Sequence, residues 1–156
     1  MFDSVFLNLF AALYRFIIKV GSSLPSVFLF YMRLTWGHQF VLAGWDKWTH
    51  MENTVQFFTT LGIPQAHFHA HFVAALEMVG GALLIVGLGS RLVAIPLIFL
   101  MLAALGTAHL QHVFSPTSLA IQAPYPYLIT VLLVFIWGPG RVSLDAWIKR
   151  QLQQRY

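Results

Sequence analysis

Cysteine is absent from this chain. Its absence excludes thiol–disulfide exchange by the chain's own residues, Fe–S ligation and metal sites built on thiolates. Charge is also scarce, since only 9% of the 156 residues are charged and only five are Asp or Glu. Apolar residues make up 58% of the chain and raise its mean hydropathy to +0.73. A soluble domain lacks the polar surface to cover so much apolar chain, so the composition predicts an integral membrane protein embedded in a lipid bilayer.

The pattern of a cleaved signal peptide is also missing. The apolar run 5–20 carries Arg15 and Lys19 at its end instead of before it, and it lacks a small-residue cleavage site. The run is short for a membrane span, and an i,i+4 spacing puts these two bases on one helix face. We therefore expect residues 1–22 to be retained as an N-terminal interfacial helix that leads into the segment 21–25.

Four long apolar stretches follow, each close to the length that crosses a bilayer as a helix. They cover residues 23–45, 69–88, 92–110 and, as the core of a shorter one, 126–137. Helices are required because lipid offers no partners to unpaired backbone amides, and no alternating strand pattern is present. The sequence predicts an all-α integral membrane protein of one domain, an antiparallel bundle of four transmembrane helices in which small residues on each span make close helix contacts.

The distribution of basic residues predicts the topology. Arginine and lysine are concentrated before the first span, between the second and third, and after the fourth, whereas the other two loops hold only Lys47. By the positive-inside rule, both termini and the basic tail 141–156 are expected to be cytoplasmic. The net charge of +4 is explained in this way and does not indicate a nucleic-acid partner.

Arg33 and Glu77 are the two charged residues that lie far from any end of an apolar stretch. Counted from the start of their spans, both fall near the middle of the membrane, where an ionisable residue is costly unless it is paired or functional. Each lies on the stripe of its helix that carries small residues, so the two side chains are predicted to pair. One interpretation is a structural ion pair that sets helix register. The other is catalytic, with Glu77 as a proton carrier and Arg33 tuning it or holding an anionic or quinone oxygen.

Histidine provides a second pattern, since six of the seven fall on the outer side in the predicted topology. His67 and His71 are four residues apart, and His109 and His112 are three apart, which are spacings that bring two imidazoles to one metal. These four are the candidate metal ligands. The alternative is that histidines tolerate the half-wet membrane interface, and no carboxylate nearby is an evident partner for a ligating imidazole.

Aromatic residues crowd toward the same outer level, where an aromatic belt is expected in any membrane protein. They could instead line a slot for a planar lipid-soluble ring such as a quinone, with Lys47 or a histidine donating to its carbonyl. On this hypothesis the ligand-binding residues are Trp36, Lys47, His109 and Tyr125.

An ordered set of short motifs between residues 32 and 145 resembles the DoxX family of bacterial four-span membrane proteins. The most specific of them is the closing run Gly-Pro-Gly-Arg-x-Ser-Leu-Asp, in which Asp145 is expected to cap the following helix or to pair with Arg141. The motifs consist of Arg33; Gly44, Trp45, Asp46, Lys47; Leu61, Gly62, Ile63, Pro64; Glu77, Gly80, Gly81, Leu84; Gly87, Leu88, Gly89, Ser90, Arg91; and Gly138, Pro139, Gly140, Arg141, Ser143, Leu144, Asp145.

The resemblance implies a bacterial inner-membrane protein whose relatives include a subunit of archaeal thiosulfate:quinone oxidoreductase and partners in oxidative-stress or thiol-handling complexes. Three hypotheses follow. The first is a quinone-linked redox subunit that works with a partner oxidoreductase, with Glu77 and Arg33 at the site. The second is a non-catalytic membrane anchor or assembly partner of a redox or stress-response complex. Besides the lipid bilayer, the expected partner of the chain is another protein or further copies of itself. The third is an outward-facing metal-handling protein. The cofactor is left open, with quinone ranked ahead of a metal or haem.

Overall fold

The computed structural model describes residues 2–108 and 124–154. Within them the chain forms six helices and no strand, which confirms the predicted all-helical fold. The helices are α1 (Phe2–Thr49), α2 (Met51–Thr60), α3 (Ala66–Val86), α4 (Ser90–Ala108), α5 (Pro124–Trp137) and α6 (Leu144–Gln153).

Helix α1 differs from the sequence-based expectation. Residues 1–22 were expected to form a separate interfacial helix, but α1 continues without interruption through Gly21 and Pro25 to Thr49. Proline costs one backbone donor and is tolerated within helices that cross membranes, so Pro25 need not end the helix. With 48 residues and a rise of 1.5 Å per residue, α1 is about 72 Å long and exceeds the thickness of a hydrocarbon core.

In the part of the chain that the structure describes, two helices, α3 and α4, are long and apolar enough to cross a membrane. Helix α5 is equally apolar but has 14 residues, which is short for a full crossing. The membrane character of the chain is thereby supported, while the predicted count of four crossings stays a prediction for α1 and α5.

Helices α1 and α3 pack closely through glycine. A Cβ atom on Gly81 would lie 2.6 Å from the carbonyl oxygen of Gly37, and one on Gly44 would lie 2.7 Å from the carbonyl oxygen of Ala74. These backbones approach each other as small residues in membrane helices allow. The contacts set an antiparallel register in which Gly37 faces Gly81 and Gly44 faces Ala74.

We expect Gly81→Ala to destabilise the protein by about 1–3 kcal/mol, because the added methyl group meets backbone atoms that cannot move independently. The matched control is Gly106→Ala on α4, where an added Cβ would have no atom within 4 Å. Thermal unfolding in detergent measures both variants. A Gly81→Ala midpoint equal to that of Gly106→Ala would contradict the close packing of α1 on α3.

The turn between α3 and α4 is held by the segment that follows α5. The carboxylate of Asp145 accepts hydrogen bonds from the backbone N–H groups of Gly89 and Ser90, at 2.8 and 3.0 Å. Asp145 therefore caps the start of α4. This corrects the expectation that Asp145 caps its own helix or pairs with Arg141, because the cap of α6 is Ser143, whose Oγ accepts from the N–H of Ala146.

Candidate functional site

A cavity of about 470 Å³ lies among the helices and takes lining residues from each of α1 to α5. We call it the central cavity. Its walls are mainly aliphatic and aromatic, and α2 contributes Phe57 and Phe58 to them. The lining side chains that carry polar groups are those of Lys47, His69, Glu77, Thr107 and Tyr127. An apolar cavity with a few converging polar groups is the usual form of a small-molecule site.

The central cavity contains a buried ion pair. Lys47 Nζ lies 2.6 Å from Glu77 Oε2, and the side chains are 27% and 6% exposed, respectively. Lys47 belongs to the last turn of α1, whereas Glu77 stands near the middle of α3, so the lysine reaches from the end of its helix into the bundle. Among the described residues Glu77 is the only buried carboxylate. Its burial is made tolerable by the lysine, because a carboxylate in an apolar interior needs a cation or strong donors.

The predicted pairing of Arg33 with Glu77 is wrong. Glu77 binds Lys47, and the guanidinium of Arg33 donates to backbone carbonyl groups. The register of α1 on α3 explains this result. Because Gly37 faces Gly81, Arg33 comes level with the end of α3 near Ile85, about two helical turns beyond Glu77. The prediction had counted residues from the start of each apolar stretch, and this count placed Arg33 and Glu77 at the same depth in the membrane.

Arg33 instead joins the end of α3 to the loop after α5. Its Nε donates to Leu84 O at 2.8 Å and its Nη2 to Ile85 O at 3.0 Å, while Nη1 donates to Pro139 O and Val142 O. The side chain is 1% exposed. A cation against the last carbonyls of a helix also interacts favourably with the helix dipole. In this arrangement Arg33 links the end of α3 to the loop after α5.

Two predicted ligand-binding residues, Trp36 and Tyr125, are half-buried near the central cavity without lining it. The ring of Trp36 packs against that of Tyr127, with centroids 4.9 Å apart, and Tyr127 in turn meets Phe40 edge-on at 4.8 Å. Trp36 therefore supports the wall of the cavity from behind. Lys47 is part of the lining, as predicted, and His109 lies outside the described residues.

Two of the predicted metal ligands, His67 and His71, lie on successive turns of α3. The rings of His67 and His71 have centroids 4.5 Å apart, and Nδ1 of His71 lies 2.8 Å from the carbonyl oxygen of His67. His109 and His112 lie outside the described residues. Across residues 2–108 and 124–154, no group of three His, Asp or Glu side chains could hold a metal ion. The predicted four-histidine metal site stays a prediction.

The metal hypothesis has a direct test. If His67 and His71 contribute to a site, zinc or copper should copurify with the protein, and replacing both residues by alanine should remove at least half of it. Elemental analysis of the purified protein measures this content. Replacement of the exposed His50, which binds Asp46 in its own turn, is the control. Equal metal content in all three proteins would discard the hypothesis.

Several lining residues of the central cavity were not selected from the sequence. His69 lies between the two histidines that were chosen for their spacing, and Thr107 belongs to a run of small residues that indicates helix packing. Tyr127 falls among the aromatic residues near the outer level, which an aromatic belt also explains. Its position beside Tyr125 in a Pro-Tyr-Pro-Tyr run was the available signal, but the choice between the two tyrosines depends on how α5 is rotated.

Comparison with known proteins gives a consistent result. A family model described as DoxX matches residues 28–110. The chain is 30% identical over 117 residues to "Putative oxidoreductase CatD" of Bacillus subtilis, covering 75% of this chain and 84% of that protein. It is 28% identical over 114 residues to "Inner membrane protein YphA" of Escherichia coli, covering 68% and 79%.

A membrane protein of Mycobacterium tuberculosis is 30% identical over 142 residues, covering 84% of this chain and 83% of that protein. No solved structure gives a significant match. The matched segment contains Arg33, Lys47 and Glu77, so both residues of the ion pair and the buried arginine fall within the family domain.

Proposed function

The chain belongs to the DoxX family of membrane proteins, and on this premise we propose that it binds a quinone in the central cavity as the membrane subunit of a redox complex. The observation that carries the proposal is the buried Lys47–Glu77 pair inside an apolar cavity. An ionisable pair in the middle of a membrane helix bundle is a default indicator of a functional site. The name of the relative CatD, an oxidoreductase by its description, supports the same class of activity.

The chemistry of the cavity suits a quinone. A volume of about 470 Å³ is within the range of pockets that hold small organic ligands, roughly 300–1,000 Å³. The aromatic and aliphatic wall accommodates the ring, and a quinone carbonyl oxygen accepts hydrogen bonds of the kind that Lys47 Nζ and His69 can donate. Charge-assisted donors such as the ammonium group are the strong ones in an apolar interior.

The ion pair also suits the proton balance of quinone chemistry. Reduction of a quinone to a quinol takes up two electrons and two protons. In the proposal the electrons come from a partner oxidoreductase, since the chain has no cysteine with which to pass them by thiol exchange. Glu77 holds and delivers protons within the cavity, and Lys47, which is 27% exposed, connects Glu77 to water at the end of α1.

We further propose four crossings of a bacterial inner membrane with both termini cytoplasmic. The inner-membrane location is supported by the name of the relative YphA, and the orientation by the excess of Arg and Lys at one end of the bundle. In this orientation Lys47 and the start of α3 face the outer side.

Binding of a short-chain quinone to the purified protein tests the proposal. We expect Glu77→Gln to weaken binding at least tenfold, because the neutral amide no longer holds the Lys47 ammonium group where it can donate to the quinone oxygen, and a hydrogen bond to a charged group contributes about 1.5–3 kcal/mol. The matched control is Glu52→Gln, which changes the other glutamate, an exposed residue of α2 outside the cavity. Equal affinity in both variants would contradict the proposal. A protein that binds no quinone but copurifies with one constant companion would favour the anchor hypothesis.

A further inference from the structure

A second cavity lies at the opposite end of α3 from the histidines. It measures about 790 Å³ and is bounded by the start of α4, the end of α5 and helix α6. Its lining includes four basic side chains, those of Arg91, Arg141, Lys149 and Arg150. We refer to it as the basic groove. We propose that the basic groove binds an anionic phosphate ester, as the head group of an anionic phospholipid.

The charge balance of the groove favours an anion. Four cationic side chains line it, and the one acidic residue in the lining is Asp145. Both carboxylate oxygens of Asp145 already accept backbone N–H groups at the start of α4. The carboxylate is therefore engaged within the fold, and the four cations give the groove a positive potential that attracts phosphate.

The basic side chains retain donors for a ligand. Arg91 Nη2 lies 3.3 Å from Ile136 O, and Arg150 Nη2 lies 3.1 Å from Arg141 O. Each of these bonds uses one of the five N–H groups of a guanidinium and fixes the orientation of the side chain. Arg141 and Lys149 are exposed at the surface of the groove. Arginine forks of this kind suit the oxygen atoms of phosphate.

The apolar surface beside the groove indicates that the phosphate belongs to a lipid. Helix α6 has an exposed apolar face formed at i, i+3, i+4 and i+8 by Leu144, Trp147, Ile148 and Leu152. Such an amphipathic helix lies in the plane of the membrane interface, with its apolar face among the acyl chains. Trp137 at the end of α5 lines the groove and is 63% exposed, as is typical of interfacial tryptophan. A head group in the groove would thus have its acyl chains next to these apolar residues.

Native mass spectrometry of the full-length protein with defined lipids tests the proposal. We expect phosphatidylglycerol to bind at least tenfold more tightly than phosphatidylcholine, whose phosphate is neutralised by choline, and its binding to weaken as salt is raised. The double variant Arg141→Gln/Lys149→Gln should reduce phosphatidylglycerol binding about tenfold. It leaves in place Arg91 and Arg150, which bind backbone carbonyls, so the fold is preserved. Arg15→Gln, a change of an exposed base on α1, is the control.

Competition with a soluble phosphate ester distinguishes a lipid head group from a free phosphate ester as the natural ligand. Glycerol phosphate, added at up to a hundredfold excess over the lipid, should leave phosphatidylglycerol bound if the acyl chains contribute as inferred. Displacement of phosphatidylglycerol by glycerol phosphate would overturn the lipid assignment. It would show that the basic groove binds a soluble phosphate ester instead. Equal binding of the two lipids, or unchanged binding in the double variant, would overturn the proposal.

Discussion

Arg33→Gln is expected to lower the free energy of unfolding by about 3–5 kcal/mol, one of the two largest effects that we expect from a single substitution. The guanidinium binds carbonyl oxygens at the end of α3 and in the loop after α5, and it is 1% exposed. Glutamine is too short and has too few donors to reach both segments. Buried carbonyls would lose their partners, and the end of α3 would separate from the loop that carries Pro139.

Arg33→Lys and Arg15→Gln make this prediction specific. Lysine keeps the charge but offers a single ammonium group, which cannot span carbonyls on two segments, so we expect most of the loss to remain. Arg15 is exposed, and its Nε donates to Ala11 O within its own helix. Its replacement should change stability by less than about 0.5 kcal/mol. Thermal or detergent-induced unfolding measures all three. Wild-type stability in Arg33→Gln would mean that the arginine does not hold the helices together.

The Lys47–Glu77 pair carries the second large prediction. Lys47→Met removes the cation and leaves the carboxylate of Glu77 in an apolar cavity, which should cost about 3–5 kcal/mol of stability. The double variant Lys47→Met/Glu77→Met should recover most of this loss, because replacement of a whole buried pair by apolar residues of similar size is often neutral or stabilising. Quinone affinity should fall at least tenfold in both variants.

This pair of variants separates stability from function. If the ion pair served only to set helix register, the double variant would recover its stability and also keep its quinone affinity. If the pair forms the ligand site, stability returns while affinity stays at least tenfold reduced. Unfolding curves and quinone titrations on the same preparations distinguish these results. A stable Lys47→Met variant would show that Glu77 does not depend on the lysine.

The fold was predictable from hydropathy to the level of an all-helical membrane protein. The apolar stretches 69–88 and 92–110 correspond to α3 and α4 within a few residues at the ends that the structure describes. The continuity of α1 through Pro25 was not predictable, because proline after glycine and serine is also the usual pattern of a helix break. Whether such a break forms depends on what surrounds the helix, which the local sequence does not record.

The site was only partly predictable for a similar reason. Glu77 stood out because a carboxylate within an apolar stretch is costly, and that argument needs no knowledge of the neighbouring helix. The residue that pairs with Glu77, in contrast, depends on the register of α1 against α3. Lys47 sits at the end of its stretch, where a lysine is unremarkable, and only the packing of Gly44 against Ala74 brings it within reach of Glu77. Asp145 likewise binds a turn more than 50 positions away in the sequence.

Photoreactive quinone labelling, with the modified peptides identified by mass spectrometry, would locate a bound quinone on the helices. We expect labels on peptides that line the central cavity, from α2 around Phe58, from α3 around Val73 and from α4 around Met101. An excess of unmodified quinone should suppress these labels, and so should Glu77→Gln but not Glu52→Gln. Labels that are absent from these three helices, or that persist under competition, would contradict a quinone site in the central cavity.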